Sequence, residues 1–192
     1  MFRREFPPST GGIGGVEMLF RCNILALLGG GPSPRYPPNR VMIWDDHQGR
    51  AIGELSLRSA VRTIRLRRDR IAVALEHKVL LYDFKDLRLV QSLETAPNAL
   101  GLLALSSAPE SCVLACPGLQ TGQLRLELHH ASCTKFVQAH SGPLAALALS
   151  PDAAWVASAS ARGTVVRVHS VADGRLLREL RRGSDPAAIH CL

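Results

Sequence analysis

The sequence predicts an all-β chain made of repeated four-stranded units, and three observations support this prediction. No long stretch keeps the apolar spacing of an amphipathic helix. Turn signals such as Ser150-Pro151-Asp152 separate short apolar runs. An apolar run ending in Trp44-Asp45 returns at Tyr82-Asp83 and, more weakly, at Glu127 and His169, so that the landmarks lie 38, 45 and 42 residues apart. These intervals match the period of about 40–45 residues in WD-repeat β-propellers.

Composition narrows the possible partners. The 192 residues are 46% hydrophobic and 20% charged, which suits one sizeable core and argues against disorder. The net charge of +7 indicates anionic partners, namely nucleic acid, a membrane surface or a phosphorylated ligand. Aromatic residues make up only 5% of the chain and none is interleaved with the arginines, so nucleic acid is not predicted. Five cysteines without a Cys-x-x-Cys pair favour reduced thiols over a metal site.

The domain prediction divides the chain into two parts. Residues 1–15, rich in Pro, Gly, Ser and Thr, predict a disordered lead-in without a targeting peptide, and residues 16–192 predict a partial propeller. Val16–Leu28 predicts one or two buried strands, and the Gly- and Pro-rich residues 29–39 predict a loop. Met18–Leu28 is too short and polar to cross a bilayer, so membrane contact would be peripheral.

Arginines alternate with apolar residues over Arg62–Arg70. Ile64 and Leu66 would lie on one face of a strand, with Arg65 and Arg67 on the other. We interpret this stretch as the solvated face of an outer strand. A secondary surface for acidic lipids or an acidic protein is the alternative.

The clearest repeat runs from His140 to His169. A WD repeat ties its loop histidine to a Ser or Thr, an Asp and a Trp, but here Arg162 takes the Asp place and His169 the Trp place. Three polar side chains therefore lack their usual partners: His140, Ser160 and Thr164. They either satisfy one another or bind water, or they form a small anion pocket with Arg162 and Arg167, which is the interpretation that we favour.

Two adjacent arginines lie in the extended stretch Leu180–Ser184. Consecutive side chains of a strand point to opposite faces, so Arg181 and Arg182 would serve two anion sites that share one strand. Gly183 would end the strand and let the backbone approach a ligand, and the Ser184 hydroxyl could bind phosphate oxygens.

Little in the sequence indicates an enzyme. His129-His130 is accompanied by no paired carboxylates, nucleophile motif or metal-ligand spacing, and we interpret the pair as histidines of a surface strand. The chain is therefore predicted to be non-enzymatic, with no cofactor or metal.

Four segments are specific enough to identify a family: Gly11–Asn23, Tyr36–Asp46, Leu66–Ile71 and Leu180–Gly183. They resemble the PROPPINs, which are autophagy-related WD-repeat propellers that bind phosphoinositides. The segments keep the family's order and similar spacing, so the resemblance covers roughly residues 11–192.

The resemblance implies a seven-bladed propeller that recognises phosphatidylinositol 3-phosphate and phosphatidylinositol 3,5-bisphosphate at two rim pockets. The first pocket would use five residues: His140, Ser160, Thr164, Arg167 and Arg181. Arg182 would face the second pocket, with Gly183 and Ser184 beside it.

The resemblance also implies a role and a location. PROPPINs act as adaptors on forming autophagosomes and on endosomal or vacuolar membranes, so we expect a cytoplasmic protein that attaches peripherally to such membranes. It would recruit lipid-transfer or conjugation proteins through a surface within residues 29–90. The alternatives are a WD-repeat scaffold that binds only proteins and a non-functional gene fragment.

The length differs from the family's pattern. Seven blades at this period need about 300 residues, whereas 192 residues supply about four blades. By the resemblance, the chain is truncated at both ends, entering near the end of the first blade and stopping in the first strand of a later one. We expect an open ring with exposed apolar faces. The chain is then an incomplete gene product, which is the interpretation we favour, or it closes the ring by associating with another chain.

Overall fold

The computed structural model describes residues 8–192, which form four antiparallel sheets of four strands each. The strands pair in sequence order within every sheet. The first sheet contains β1 (Ile13–Met18), β2 (Ile24–Gly29), β3 (Arg40–Asp45) and β4 (Arg50–Ser56). The second contains β5 (Thr63–Leu66), β6 (Arg70–Ala74), β7 (Lys78–Asp83) and β8 (Leu89–Glu94). The third contains β9 (Ala104–Leu105), β10 (Val113–Pro117), β11 (Gln123–Leu128) and β12 (Cys133–Gln138). The fourth contains β13 (Leu144–Leu149), β14 (Trp155–Ser160), β15 (Val165–Ser170) and β16 (Leu176–Arg181).

The sheets are arranged as the blades of a propeller. The first strand of each sheet lies beside the first strand of the next, so β1, β5, β9 and β13 surround a common axis. The fourth strands, β4, β8, β12 and β16, form the outer rim. This arrangement confirms the predicted all-β fold with about four blades of a propeller.

Three apolar cores join successive blades. The core between the first and second blades includes Val41 and Ile71, and the core between the third and fourth includes Leu124 and Val156. Between the second and third blades lies Cys116, which is completely buried. Burial raises the pKa of its thiol to about 12. All five cysteines are free thiols.

The middle strands are apolar because they bury both faces. In β7, Val79 and Leu81 pack in the core shared with the third blade, whereas Leu80 and Tyr82 pack against the core shared with the first. Consecutive side chains of a strand point to opposite faces, so a strand between two blades needs an unbroken apolar run.

The recurrent aspartate after these runs closes a turn. Oδ1 of Asp45 accepts hydrogen bonds from the backbone amides of His47 and Gln48 at 2.9 and 3.1 Å. Asp83, at the same place in the next blade, accepts one from the Lys85 amide at 2.9 Å. The repeated phrase in the sequence thus marks the end of each blade's third strand.

The interpretation of Arg62–Arg70 as part of an outer strand is wrong. β5 is the innermost strand of the second blade, and Arg65 forms an ion pair with Glu17 of β1 at 3.3 Å. Arg67 is 6% exposed. Its guanidinium donates to the carbonyl oxygens of Pro109 and Ser111 in the third blade at 2.9 and 2.8 Å. An arginine with several carbonyl partners can be buried at a blade junction.

Two further predictions change at the level of local structure. His129 and His130 lie in a 3₁₀ turn, His129–Ala131, and not in a strand. At the N-terminal end, β1 begins at Ile13, three residues before the boundary predicted at residue 16. Residues 1–7 of the predicted lead-in lie outside the described residues.

Apolar side chains are exposed on the first and last blades. Val16 and Met18 of β1 are 58% and 51% exposed, and Trp155 and Leu180 of the fourth blade are each 55% exposed. Trp155, Leu180 and Val168 line a shallow apolar depression on the blade face that turns away from the third blade. Within residues 8–192, no helix is long and apolar enough to span a bilayer.

Replacing Leu81 by Ala should lower the free energy of unfolding by about 2–5 kcal/mol, because Leu81 is fully buried between two blades. Leu89→Ala is the matched control in the same sheet, since Leu89 is 48% exposed, and should change it by less than about 0.5 kcal/mol. Urea unfolding followed by tryptophan fluorescence measures both. Equal losses in the two variants would contradict the packing described for β7.

Candidate functional site

One face of the fourth blade gathers most of the predicted site residues. Arg167 of β15 pairs in register with Ser158 on one side and Glu179 on the other, and Arg181 pairs with Val165. Because side chains alternate along a strand, Ser158, Arg167, Glu179 and Arg181 share a face. That face turns towards the third blade, since Val156 on the same side of β14 lies in the core between these blades.

The loop between the third and fourth blades presents His140 to this face. The amides of Ala139 and His140 donate to the carbonyl oxygen of Gly122 at 3.1 and 3.0 Å. Gly122 has a φ of +74°, and a Cβ there would collide with the carbonyl oxygen of His140. Glycine is therefore required at this position to hold the loop.

His140 finds a partner that the sequence did not reveal. Its Nε2 lies 3.1 Å from Oγ of Ser158, whereas Ser160, two residues along the same face, has no side-chain hydrogen bond among the described residues. His140 and Ser160 are 4% and 8% exposed. The buried histidine thus holds the Ser158 hydroxyl in place. Only the register of β13, β14 and β15 would have shown that His140 meets Ser158.

His169 is the second buried histidine on this face of the fourth blade. It is 4% exposed, and its Nδ1 has no hydrogen-bond partner among residues 8–192. Burial, together with the nearby positive charge of Arg167, lowers the pKa of both His140 and His169. Both imidazoles are therefore neutral at neutral pH.

Arg167 bridges the outer strand and the loop. Its Nε donates to Oε2 of Glu179 at 2.7 Å, and its Nη1 donates to the carbonyl oxygen of Ala139 at 2.6 Å. Its side chain is 31% exposed. Two of its five N–H groups are occupied by these partners, so three remain available for another acceptor.

Arg181 differs from Arg167 in its surroundings. It is exposed at the end of β16, and its guanidinium has neither a hydrogen bond nor an ion pair with any residue from 8 to 192. A guanidinium with no partner among the described residues therefore lies on the same face as Arg167.

Arg182 follows the strand and contacts the neighbouring turn. Its amide donates to the carbonyl oxygen of Thr164 at 2.9 Å. Its Nε and Nη2 donate to the carbonyl oxygens of Gly163 and Asp185 at 2.7 and 2.5 Å. The structure thus brings Thr164, predicted for the first pocket, beside the backbone of Arg182.

Open space surrounds the residues after the arginine pair. A Cβ on Gly183 would meet no atom within 4 Å, and Ser184 is exposed without a side-chain partner among the described residues. Arg162, in the turn before β15, is also exposed. Within residues 8–192, no three His, Cys, Asp or Glu side chains group as metal ligands would.

Comparison with known proteins places this geometry among relatives. A family model described as PROPPIN matches residues 15–189. Autophagy-related protein 18e of Arabidopsis thaliana is 35% identical over 184 residues, which cover 95% of this chain and 49% of that protein. SVP1-like protein 2 of Emericella nidulans is 39% identical over 176 residues, which cover 91% and 54%. The chain thus spans about half the length of these curated relatives.

Solved structures agree in fold. Kluyveromyces lactis Hsv2 matches with a TM-score of 0.77 at 24% identity, over 98% of this chain and 56% of that one. KlAtg21, solved in a complex with the coiled coil of AgAtg16, matches with a TM-score of 0.74 at 22% identity, over 90% and 57%. At these identities the likeness concerns the fold.

The free energy of unfolding should fall as the pH drops below the ordinary histidine pKa of 6.5. His140 and His169 have lowered pKa values when folded, so the unfolded chain binds more protons in this range. His169→Phe should reduce this fall, because it removes one of the two buried imidazoles. Urea unfolding at pH 7.5 and 5.5 measures the difference. The same pH dependence in wild type and His169→Phe would contradict the assignment.

Arg182→Ala should loosen the segment after β16, because it removes two donors to backbone carbonyls. We expect the amide of Ala187, which donates to Arg162 at 3.2 Å, to exchange its hydrogen about two- to ten-fold faster. Arg181→Ala is the matched control, since Arg181 makes no such bonds. Hydrogen exchange followed by NMR measures the rate in both variants. Equal acceleration in the two would contradict the role of the Arg182 side chain in holding this segment.

Proposed function

Because the chain belongs to the PROPPIN family of autophagy-related, phosphoinositide-binding β-propellers, we propose that it binds phosphatidylinositol 3-phosphate and phosphatidylinositol 3,5-bisphosphate at the rim of its fourth blade. It would do so as a peripheral adaptor on membranes where autophagosomes form and on endosomal or vacuolar membranes. The chain spans about half the length of its relatives, and the activity and partners of the full-length proteins are part of this proposal.

The observation that carries the proposal is the exposed guanidinium of Arg181, which has no partner within residues 8–192, beside the partly exposed Arg167. An arginine without a carboxylate partner has an uncompensated charge, and all of its planar N–H donors are available to a ligand. A phosphomonoester carries about −1.5 to −2 charge and three strong acceptor oxygens at neutral pH. Arg181 would bind the phosphate first, and the free N–H groups of Arg167 would bind it from the cleft side.

The buried residues of the predicted site would act indirectly. His140 and Ser160 are too buried to meet a headgroup directly, so we assign His140 to positioning the Ser158 hydroxyl and Ser160 to filling the space behind the site. Thr164 is partly exposed in the turn beside Arg182. It would contact the headgroup from the turn.

A second attachment point lies after the strand. Arg182 has three N–H groups beyond those that hold Gly163 and Asp185, and Gly183 and Ser184 lie in open space next to it. Two weak headgroup contacts on one rigid rim strengthen attachment through effective concentration. Peripheral proteins commonly need two such signals for stable binding.

We also propose that the first two blades, within residues 29–90, bind lipid-transfer or conjugation proteins of autophagy. A cleft of about 420 Å³ supports this, since Arg68 and Asp69 of the second blade line it together with Phe20 and Pro109, which lie outside that range. It lies at the turns between the first and second strands, which are at the opposite end of the blades from Arg181. A protein bound there would leave the arginine pair free. Among relatives, KlAtg21 was solved with a coiled coil.

Replacing both Arg181 and Arg182 by Thr should abolish sedimentation of the chain with vesicles that contain phosphatidylinositol 3-phosphate. Each basic residue near an anionic surface is worth about 1 kcal/mol, so the pair should account for roughly a thirty-fold change in affinity. Vesicle co-sedimentation at physiological salt measures the bound fraction.

Arg178→Thr is the control for charge, since Arg178 is exposed on the same strand but points to the other blade face. It should retain most of the binding. If the double variant sediments as well as Arg178→Thr does, the lipid proposal is wrong and a scaffold that binds only proteins becomes the better description. A wild-type chain that fails to sediment would favour an inactive fragment.

A further inference from the structure

A single acidic residue lies on the strand face that carries Arg167 and Arg181. Strands β13 to β16 contain only one acidic side chain, Glu179. It pairs in register with Arg167, and it precedes Arg181 by two residues on the same face of β16. A carboxylate at this position faces the place where an anionic ligand would bind.

The carboxylate is already engaged with the cation that the ligand needs. Oε2 of Glu179 accepts from Nε of Arg167 at 2.7 Å, while the Ala139 carbonyl holds the same guanidinium from the other side. The side chains of Arg167 and Glu179 are 31% and 46% exposed, so water screens the pair and it can separate at small cost. Arg181, in contrast, has no partner to give up among the residues that the structure describes.

We propose that Glu179 is an internal competitor for the phosphate, which limits the affinity of this site for a phosphomonoester dianion. The inference rests on the proposed function, and it adds a residue that acts against binding. A phosphate that reaches Arg167 must either share the guanidinium with the carboxylate or displace it. In the first case the two anions repel each other, and in the second the ion pair is lost.

The consequence is a site with low affinity for one headgroup. With Glu179 present, Arg167 and Arg181 leave the pocket a net charge of about +1. A single phosphate is then held weakly, so lasting attachment depends on engaging Arg182 at the same time. The carboxylate thereby makes the chain respond to the density of phosphorylated lipids in the membrane, since only closely spaced headgroups occupy both arginines.

The test compares Glu179→Gln with wild type in two arms. Glutamine keeps the shape of the side chain and an oxygen that accepts from Arg167, but it removes the charge. We expect about a three- to ten-fold lower Kd for phosphatidylcholine vesicles that contain phosphatidylinositol 3-phosphate. Inorganic phosphate, titrated by NMR with the Arg167 Nε–H signal as the probe, should show a similar gain.

Glu94→Gln is the matched control. Glu94 ends the outer strand of the second blade, its side chain is 73% exposed, and it lies 3.7 Å from Lys78 in a comparable ion pair. The variant makes the same change in net charge away from the site, so it should alter either Kd by less than about two-fold.

The outcomes separate the two proposals. If wild type binds the vesicles but Glu179→Gln binds no better than Glu94→Gln, the competitor role is wrong and the lipid proposal stands. Weaker binding by Glu179→Gln would also overturn the competitor role, because the carboxylate would then be needed to orient Arg167. If inorganic phosphate binds more tightly to Glu179→Gln while no protein sediments with vesicles, the competitor role stands and the membrane function fails.

Discussion

Burial of both faces of each blade is the constraint on which this structure depends. A single four-stranded sheet has two apolar faces, and the second and third strands carry apolar runs because neighbours cover both sides. Within the described residues, the three cores cover every blade face that has a neighbouring blade. The first and last blades each have one neighbour, which leaves Val16 and Trp155 largely exposed.

The same constraint determines where the chemistry lies. Between the third and fourth blades, Val156 lies in the apolar core. Further along the same face of the fourth blade lies the buried polar pair His140 and Ser158. Positive charge increases towards solvent, from Arg167, which is paired with Glu179, to Arg181, which has no partner in the described part of the chain. This face of the fourth blade thus changes from apolar in the core to cationic at the solvent edge. An anion that approaches from water meets Arg181 first.

Short-range patterns allowed the fourth blade to be predicted almost to the residue. The apolar runs at Leu144–Leu149 and Trp155–Ser160 and the turn at Ser150 coincide with β13, β14 and their connection. Turn chemistry and alternation are local properties, so one sequence suffices for them. The extended arginine stretch was also foreseen, although β16 ends at Arg181 and Arg182 then turns to contact Gly163.

Long-range partners were not predictable in the same way. The arginine-rich stretch around Arg67 indicated a solvated face, but besides the nearby Asp69 the Arg67 guanidinium donates to Pro109 and Ser111, more than 40 residues later in the chain. Ser158 was overlooked in favour of Ser160, because only strand register shows which serine the histidine meets. The early start of the first blade was hidden by glycines: Gly14 packs so closely on Gly30 that a Cβ there would collide with it.

The fully buried thiol of Cys116 makes the junction of the second and third blades chemically observable. An alkylating reagent in water meets Cys22 and Cys191 directly, since both are exposed. It reaches Cys116 only when the blades separate, and the high pKa leaves almost no thiolate to react before then. The rate at which Cys116 is alkylated therefore reports how often the second and third blades separate. Mass spectrometry can follow this rate in the wild-type chain.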